Sequence, residues 1–412
     1  MPDFGIWHPV SDTPMTNPPR QSSCLRRWRT IGVFSFLTIF LLCCPQRASA
    51  NAGTPLMWAS MLHLVFGNAL IGVIEGALMA KFFRLPGTKC LLVMIAANYA
   101  SAWLGGLFIQ GAVVSALPLN LNNAWGWFWI MVVATYLLTL LIEWPFVAWC
   151  FRGQTAKLKR SLQAACVVQT ITYVLLFGWY WSASGVSLYT RIEVVAPADL
   201  SLPESVLVYY IEPASGDVHA RHLSGGDDQK VFPLSSRDLD DRLFAQPCPV
   251  ETGRCEIVAR QEGTNRNSPR LVTVVSNLAA EVDSSGEYAP SPDAKPEGTW
   301  FSFGDAPRLS NATTSSWDFS TGFWPIEGLR ASNKASGQRV RLAYETPFGQ
   351  WAVRNAVHLP TDKVLFQLGS DQICAFDPAT RRVALLWRGR GPVAVIPRAA
   401  VPGHTNVPAT PP

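Results

Sequence analysis

The sequence predicts an α-helical membrane domain of four transmembrane helices behind an N-terminal signal segment, joined to a C-terminal all-β extracytoplasmic domain. Three observations predict it: a division in composition, an alternation of charge between apolar segments, and a change of hydrophobic period near residue 186. Of 412 residues, 49% are hydrophobic and only 15% charged. Residues 51 to 183 hold nine of the 16 Trp but only nine charged side chains: Lys81, Arg84, Lys89, Arg152, Lys157, Lys159, Arg160, Glu75 and Glu143. Residues 184 to 412 carry 22 Lys+Arg against 25 Asp+Glu, the balance of a soluble domain. The net charge of +5 therefore comes from the N-terminal region and the short membrane-flanking turns. It marks topology and gives no nucleic-acid surface. The expected domains are 1–50, 51–185, 186–398 and 399–412.

The first element is a targeting segment. Arg20, Arg26, Arg27 and Arg29 precede an apolar run from Ile31 to Cys44, and Ala48-Ser49-Ala50 follows. That order is a charged region, a short apolar core and a small-residue cleavage site, so cleavage is expected after Ala50. The run is too short for a bilayer core of about 30 Å.

Four segments long enough to span follow, at about Leu56 to Phe83, Cys90 to Leu117, Ala124 to Phe151 and Leu162 to Ala183. Lys81, Arg84 and Lys89 surround the first turn, and Arg152, Lys157, Lys159 and Arg160 fill the third. The second turn, Pro118 to Asn123, has no charge. The positive-inside rule puts the first and third turns in the cytoplasm and everything after residue 183 outside. Trp125, Trp127 and Trp129 at the start of the third span, with Trp179, Tyr180 and Trp181 at the end of the fourth, suit the outer interface. The expected location is the cytoplasmic (plasma) membrane, multi-pass, with the lipid bilayer as one partner.

Two carboxyls lie inside the spans, at a cost of at least ~2.5 kcal/mol each if charged. Glu75 lies nine residues before Arg84 and Glu143 nine before Arg152, while Asn98 lies nine after Lys89 and Gln169 nine after Arg160. Nine helical residues cover about 13.5 Å, so all four polar groups fall at one depth near the bilayer centre. Asn68 shares a helix face with Glu75, two turns outward, and His63 follows one further turn along. Ile74-Glu75 with Phe83-Arg84 repeats as Ile142-Glu143 with Phe151-Arg152 at an offset of 68, as in a duplicated hairpin. At least one carboxyl is expected to be neutral and to donate a hydrogen bond. The belt reads either as structural glue or as a proton or cation site. Gly67, Gly72, Gly76, Ala80, Gly105, Gly106 and Gly111 allow close helix packing within or between chains, although a Gly72-x-x-x-Gly76 spacing recurs by chance.

Residues 186 to 398 read as short strands: Val206 to Ile211, Val218 to Leu223, Arg270 to Ser276, Val340 to Tyr344, Trp351 to Leu359, Val364 to Leu368, Ile373 to Phe376 and Val383 to Trp387. Turn sequences at Pro360-Thr361-Asp362, Gly369-Ser370-Asp371 and Asp377-Pro378-Ala379-Thr380 join the last four into an antiparallel meander. Ile211-Glu212-Pro213-Ala214-Ser215 with Val218 matches Phe376-Asp377-Pro378-Ala379-Thr380 with Val383 at an offset of 165. This strand, turn and strand resembles the outer hairpin of a β-propeller blade of the quinoprotein-like type. The resemblance implies about four blades between the copies, that is, a small or incomplete propeller; a β-sandwich is the alternative. It covers some 25 residues each time, and such an analogy of fold does not license a quinone cofactor. No cofactor is expected.

Residues 284 to 297 read as a flexible loop and the tail from Pro397 as disordered. Cys248 and Cys255 flank a loop with Pro249 and Gly253 and are expected to form a local disulfide, and Cys374 reads as a buried apolar residue. His219 and His222, three apart on a strand, point to opposite faces and make poor joint metal ligands. Asn311-Ala312-Thr313 is a glycosylation sequon. There is no Gly-rich phosphate loop, no G-x-S-x-G and no H-E-x-x-H, so nothing positive supports an enzyme. The leading expectation is a non-enzymatic envelope protein whose β domain binds a protein or small-ligand partner. The alternative is a small proton- or cation-coupled transporter using Glu75, Asn98, Glu143 and Gln169, which four helices would require a homo-oligomer to build.

Overall fold

A computed structural model describes residues 61–108, 117–183 and, within 192–398, residues 192–239, 241–248, 251, 254–261, 270–281, 304–309, 315–322, 328–346 and 348–398. The signal segment, the loop at 284–297, the sequon at Asn311, Gly111 and the tail from 399 lie outside the described residues. Four long helices precede a β-rich region. They are α1 (Asn68–Phe83, entered by a π-helical turn at His63–Gly67), α2 (Gly87–Phe108), α3 (Ala124–Cys150) and α4 (Lys157–Ala183). His63–Phe83, Ala124–Cys150 and Lys157–Trp181 are long and apolar enough to cross a membrane.

Each helix packs on the next, and α4 returns to α1. The first hairpin is tight: α1 stops at Arg84, in the left-handed region at φ 55°, and Pro86 forbids its continuation. Its arms touch backbone to backbone. A Cβ added to Gly72 would lie 2.5 Å from Ile95 Cα, and one on Gly76 would lie 2.7 Å from Leu91 Cα. The Gly72-x-x-x-Gly76 spacing thus marks an intrachain crossing, while Gly105 has open space beside it and Gly67 adjoins only His63 of its own helix.

The bundle is apolar outside and carries a belt of polar groups within a core of Met79, Met94, Val147, Phe151 and Val168. Leu92, Leu141 and Val174 are about two-thirds exposed, whereas Glu75 and Glu143 are fully buried. Exposed apolar side chains around buried carboxyls suit a hydrocarbon solvent. Trp125 and Phe128 stack at 5.7 Å, Trp129 and Phe177 at 5.6 Å, and Phe177 and Trp181 at 5.9 Å, joining the start of α3 to the end of α4.

Among the described residues the β-rich region has five sheets, and none of them closes into a barrel. The meander expected at the end forms from Val353–Leu359, Lys363–Leu368, Gln372–Asp377 and Arg382–Arg388, with Glu193–Val194 added in parallel at its edge. A second sheet holds Gly304–Asp305, Trp317–Thr321, Leu329–Asn333 and Arg339–Leu342; a third is the hairpin of Tyr344–Thr346 with Gly349–Trp351. The fourth runs Gln229–Phe232, Val218–His222, Leu207–Ile211, Arg390–Pro397 and Ala280–Glu281, and the fifth joins Arg242–Pro247, Cys255–Gln261 and Arg270–Leu278. Arg390–Pro397 was not legible as a strand because Gly391-Pro392 reads as a turn. Gly391 adopts φ 55° at a register shift that lets the ladder resume at Val393. Cys255–Gln261 hid behind two charges, Glu256 and Arg260, which are both buried.

The two matched hairpins both form, and a third shares their turn. Ile211 pairs with Val218, Phe376 with Val383 and Ser332 with Arg339. In each, the residue opening the turn accepts backbone N–H bonds on its side chain: Glu212 from Ser215, Asn333 from Ala335 and Ser336, Asp377 from Ala379 and Thr380. Gly216, Gly337 and Arg381 then take positive φ at the same place.

The expected Cys248–Cys255 disulfide is absent, and both thiols are free. Cys255 pairs with Pro247, so Cys248 falls one residue past the ladder and alternation sends the two side chains to opposite faces. Cys255 enters the core and its thiol points to the Leu278 carbonyl at 3.5 Å. Cys374 is wholly buried, as expected.

The helices and sheets belong to one compact unit, residues 50–412. The uncharged loop between α2 and α3 enters the sheet core: Leu121 and Ala124 are buried with Trp317, Val353, Leu368 and Cys374. Leu121 N–H donates to Gln372 Oε1 at 2.7 Å, and Arg388 donates to the Leu119 carbonyl at 3.2 Å. Phe348, at the tip of the 344–351 hairpin, lies 6.0 Å from the Phe128 ring of α3.

Candidate functional site

The polar belt assembles into one network at the centre of the helix bundle. Within the first hairpin, Asn98 Nδ2 donates to Glu75 Oε2 at 2.5 Å; within the second, Gln169 Nε2 donates to Glu143 Oε2. These are the carboxyl–carboxamide pairs that the nine-residue spacing predicts. Two hydroxyls then cross-link the hairpins. Thr172 Oγ1 donates to Glu75 Oε1 at 2.8 Å, and Ser101 Oγ donates to Glu143 Oε1 at 2.6 Å.

The arrangement repeats. Asn98 and Ser101 are three residues apart on α2, as Gln169 and Thr172 are on α4, and both members shift by 71 between hairpins. Each return helix thus gives its amide to its own hairpin's carboxyl and its hydroxyl, one turn on, to the other's. Phe83 and Phe151, the matching hairpin ends, meet edge to face at 5.9 Å. Ser101 and Thr172 escaped sequence reasoning because single hydroxyls are common in membrane helices; their common offset from Asn98 and Gln169 is the signal that finds them.

All four carboxyl oxygens have a donor, and the hydroxyls can also serve in reverse. Ser101 Oγ lies 3.0 Å from the Asn98 carbonyl, and Thr172 Oγ1 lies 3.1 Å from the Gln169 carbonyl. Each can donate to that carbonyl while accepting from a protonated carboxyl, so both protonation states are satisfied without repacking. Asn68 does not join the belt. It is buried, and its amide donates to Leu64 of its own helix at 3.1 Å. His63 instead meets the Tyr180 hydroxyl at 2.7 Å.

In the sheets, Ser315, His358 and Asp362 come together, which sequence reasoning had no means to place. Ser315 Oγ lies 3.0 Å from His358 Nε2 and donates to Asp362 Oδ1. The order is wrong for a nucleophile: the carboxylate sits on the serine, while His358 Nδ1 is buried without a partner. Burial, reinforced by Arg308, lowers His358 to about 4, so its imidazole is neutral. His219 pairs with Asp228 at 3.1 Å and His222 is exposed, so the two form no joint ligand set. Among the described residues no group of His, Cys, Asp or Glu is placed to hold a metal.

A polar cleft of about 380 Å³ opens between the turn at 213–215, the segment 236–239 and the turn at 370–371, with Arg390 in its wall. Burial pulls the Arg390 guanidinium below its ordinary value, against the opposing influence of Asp241, Asp238 and Asp371. No protein-family model matches the chain, and no curated protein matches it significantly.

Proposed function

We propose that the chain is a four-span envelope protein that holds a β-rich partner- or ligand-binding domain rigidly against the outer face of the cytoplasmic membrane and carries out no chemistry itself. The docked loop carries this reading. Leu121 is buried among sheet residues, and Leu121 N–H is bonded to Gln372, so the sheets lie on the side of the uncharged turn. The basic turns, with Lys81, Arg84 and Lys89 and with Arg152, Lys157, Lys159 and Arg160, mark the opposite side as cytoplasmic. Helix α2 is the remaining span, its 22 residues reaching about 33 Å at 1.5 Å each. A small propeller is the architecture we favour: four mainly antiparallel sheets of three to five strands succeed one another, and the last strand pairs beside the first long one. The serine-first order of Ser315, His358 and Asp362 supports a structural role for that cluster.

The test is labelling of single cysteines with a membrane-impermeant maleimide, after the partly exposed Cys166 and Cys248 are replaced by serine. Ser336→Cys, in the turn between Leu329–Asn333 and Arg339–Leu342, should label in intact cells, and Thr155→Cys should label only after lysis. The reverse pattern would overturn the topology.

A second reading, proton- or cation-coupled transport by an oligomer, is favoured by one observation: two carboxyls from separate hairpins share a network that draws on all four helices. Dissipation of an imposed pH gradient in proteoliposomes, lost in Glu75→Gln and Glu143→Gln, would support it. Flux no greater than in empty liposomes would remove proton transport.

A further inference from the structure

We propose that the cleft beside Arg390 binds an oxyanion of the phosphate type. This names a ligand class for the β-rich domain and so rests on reading that domain as the binding part, though not on which side of the membrane it faces.

Arg390 is only 3% exposed, a costly place for a guanidinium. Its hydrogen bonds go to neutral acceptors: Nη1 to the Asp238 carbonyl, Nη2 to Ser236 Oγ at 3.1 Å and to the Ser236 carbonyl at 3.4 Å. Nε is buried with no partner at all. Asp241, bonded to Ser236 Oγ at 2.6 Å, stands one hydrogen bond behind and balances the buried charge.

Arg237 lines the same cleft, is exposed, and has no ion pair or hydrogen bond among the described residues. The carboxylate that lines the cleft, Asp371, is already held by Arg388 at 2.5 Å and by Ser370 Oγ at 3.1 Å. Ser215 adds a hydroxyl to the wall. A free guanidinium beside a buried one, with a hydroxyl and a neutralised acid, suits a compact ligand rich in acceptor oxygens.

Place narrows the source. Arg388, which holds Asp371, also donates to the Leu119 carbonyl on the loop joining α2 to α3. The cleft is therefore next to the membrane-docked end of the sheets, within reach of a lipid headgroup as well as of a free anion.

The experiment uses the full chain in phosphatidylcholine nanodiscs, titrated with inorganic phosphate by calorimetry. Saturable one-site binding is expected, weakened roughly tenfold or more in Arg237→Gln and partly restored in Arg237→Lys. Circular dichroism checks that the variants are folded. Repeating the titration in discs containing phosphatidylglycerol separates the sources: a headgroup occupant would suppress phosphate binding in the wild type and be retained in native mass spectrometry, whereas a free anion would bind equally in both discs. Absence of saturable binding together with absence of retained phosphatidylglycerol overturns the proposal, as does binding unchanged in Arg237→Gln. Maleimide labelling of Ser215→Cys in intact cells distinguishes the two failures. A cleft that labels yet binds nothing defeats the anion site alone, and a cleft closed to the outside defeats the extracytoplasmic reading.

Discussion

At the scale of single residues, the belt was legible because charge marks depth. Glu75, Asn98, Glu143 and Gln169 each stand nine residues from a basic residue at a helix end, and that spacing was enough to pair them correctly. Asn68 was grouped with them on a shared helix face alone, which does not decide between a neighbouring helix and the helix's own backbone, and its amide turns to Leu64. Glu143→Gln should cost under about 1 kcal/mol, because a carboxamide can accept from Gln169 and donate to Ser101 Oγ. Glu143→Leu should cost about 2 to 4 kcal/mol by stranding the Gln169 amide, as read by helix loss on SDS titration. His358 gives a prediction in pH. Its folded value is about 4 against 6.5 when unfolded, so below about 6.5 the unfolded chain takes up a proton that the folded chain refuses. Stability is then complete near neutrality and falls as the pH drops toward 4, by ~3 kcal/mol in full. Comparing the denaturant midpoint of the wild type with that of His358→Gln at about pH 7 and about pH 4.5 should show the variant losing less on acidification.

At the scale of elements, turn chemistry was the best guide. The four strands of the meander were found because Thr361-Asp362, Gly369 and Asp377-Pro378 punctuate them; positive φ falls at Thr361, Asp362 and Gly369 themselves and at Arg381, which closes the Asp377-Pro378 turn. Strands carrying charge or Gly-Pro were missed, since Arg260, Glu256 and Gly391-Pro392 are tolerated only through pairing and bulges that the sequence does not display. The glycines of α1 were underrated for a similar reason: spacing alone cannot say whether a partner helix is there. Gly76→Val should separate α1 from α2, since a Cβ there already lies 2.7 Å from Leu91 Cα. The expected loss is about 2 kcal/mol or more, measurable as a lowered midpoint for bundle unfolding, with Gly105→Val as a near-neutral control.

At the scale of the whole molecule, the helices and sheets behave as one body because a loop of the bundle forms part of the sheet core. Asn120 and Asn123 hold that loop by mutual side-chain bonds: Asn123 Oδ1 accepts from Asn120 N–H at 2.8 Å, and Asn120 Oδ1 accepts from Asn122 N–H at 3.0 Å. Leu121→Asp, which buries a charge beside Val353 and Leu368, should make the sheets melt independently of the helices. Calorimetry should then give two transitions in place of one. None of this was legible beforehand, because a six-residue uncharged turn reads simply as a connection.

The pairing of Arg390–Pro397 with Leu207–Ile211 has a consequence for biogenesis. The clasp joins nearly the first strand of the β-rich region to the last, so a ribosome must finish the chain before the domain can close. Until then Leu207–Ile211 presents a bare edge, without the cover that Val393 and Val395 give Tyr209 and Ile211, while the four helices are already synthesised. Maturation would thus be governed by delivery of the final strand, and a chain stopped after Arg388 should persist only as a target for proteolysis, whatever the integrity of its helices.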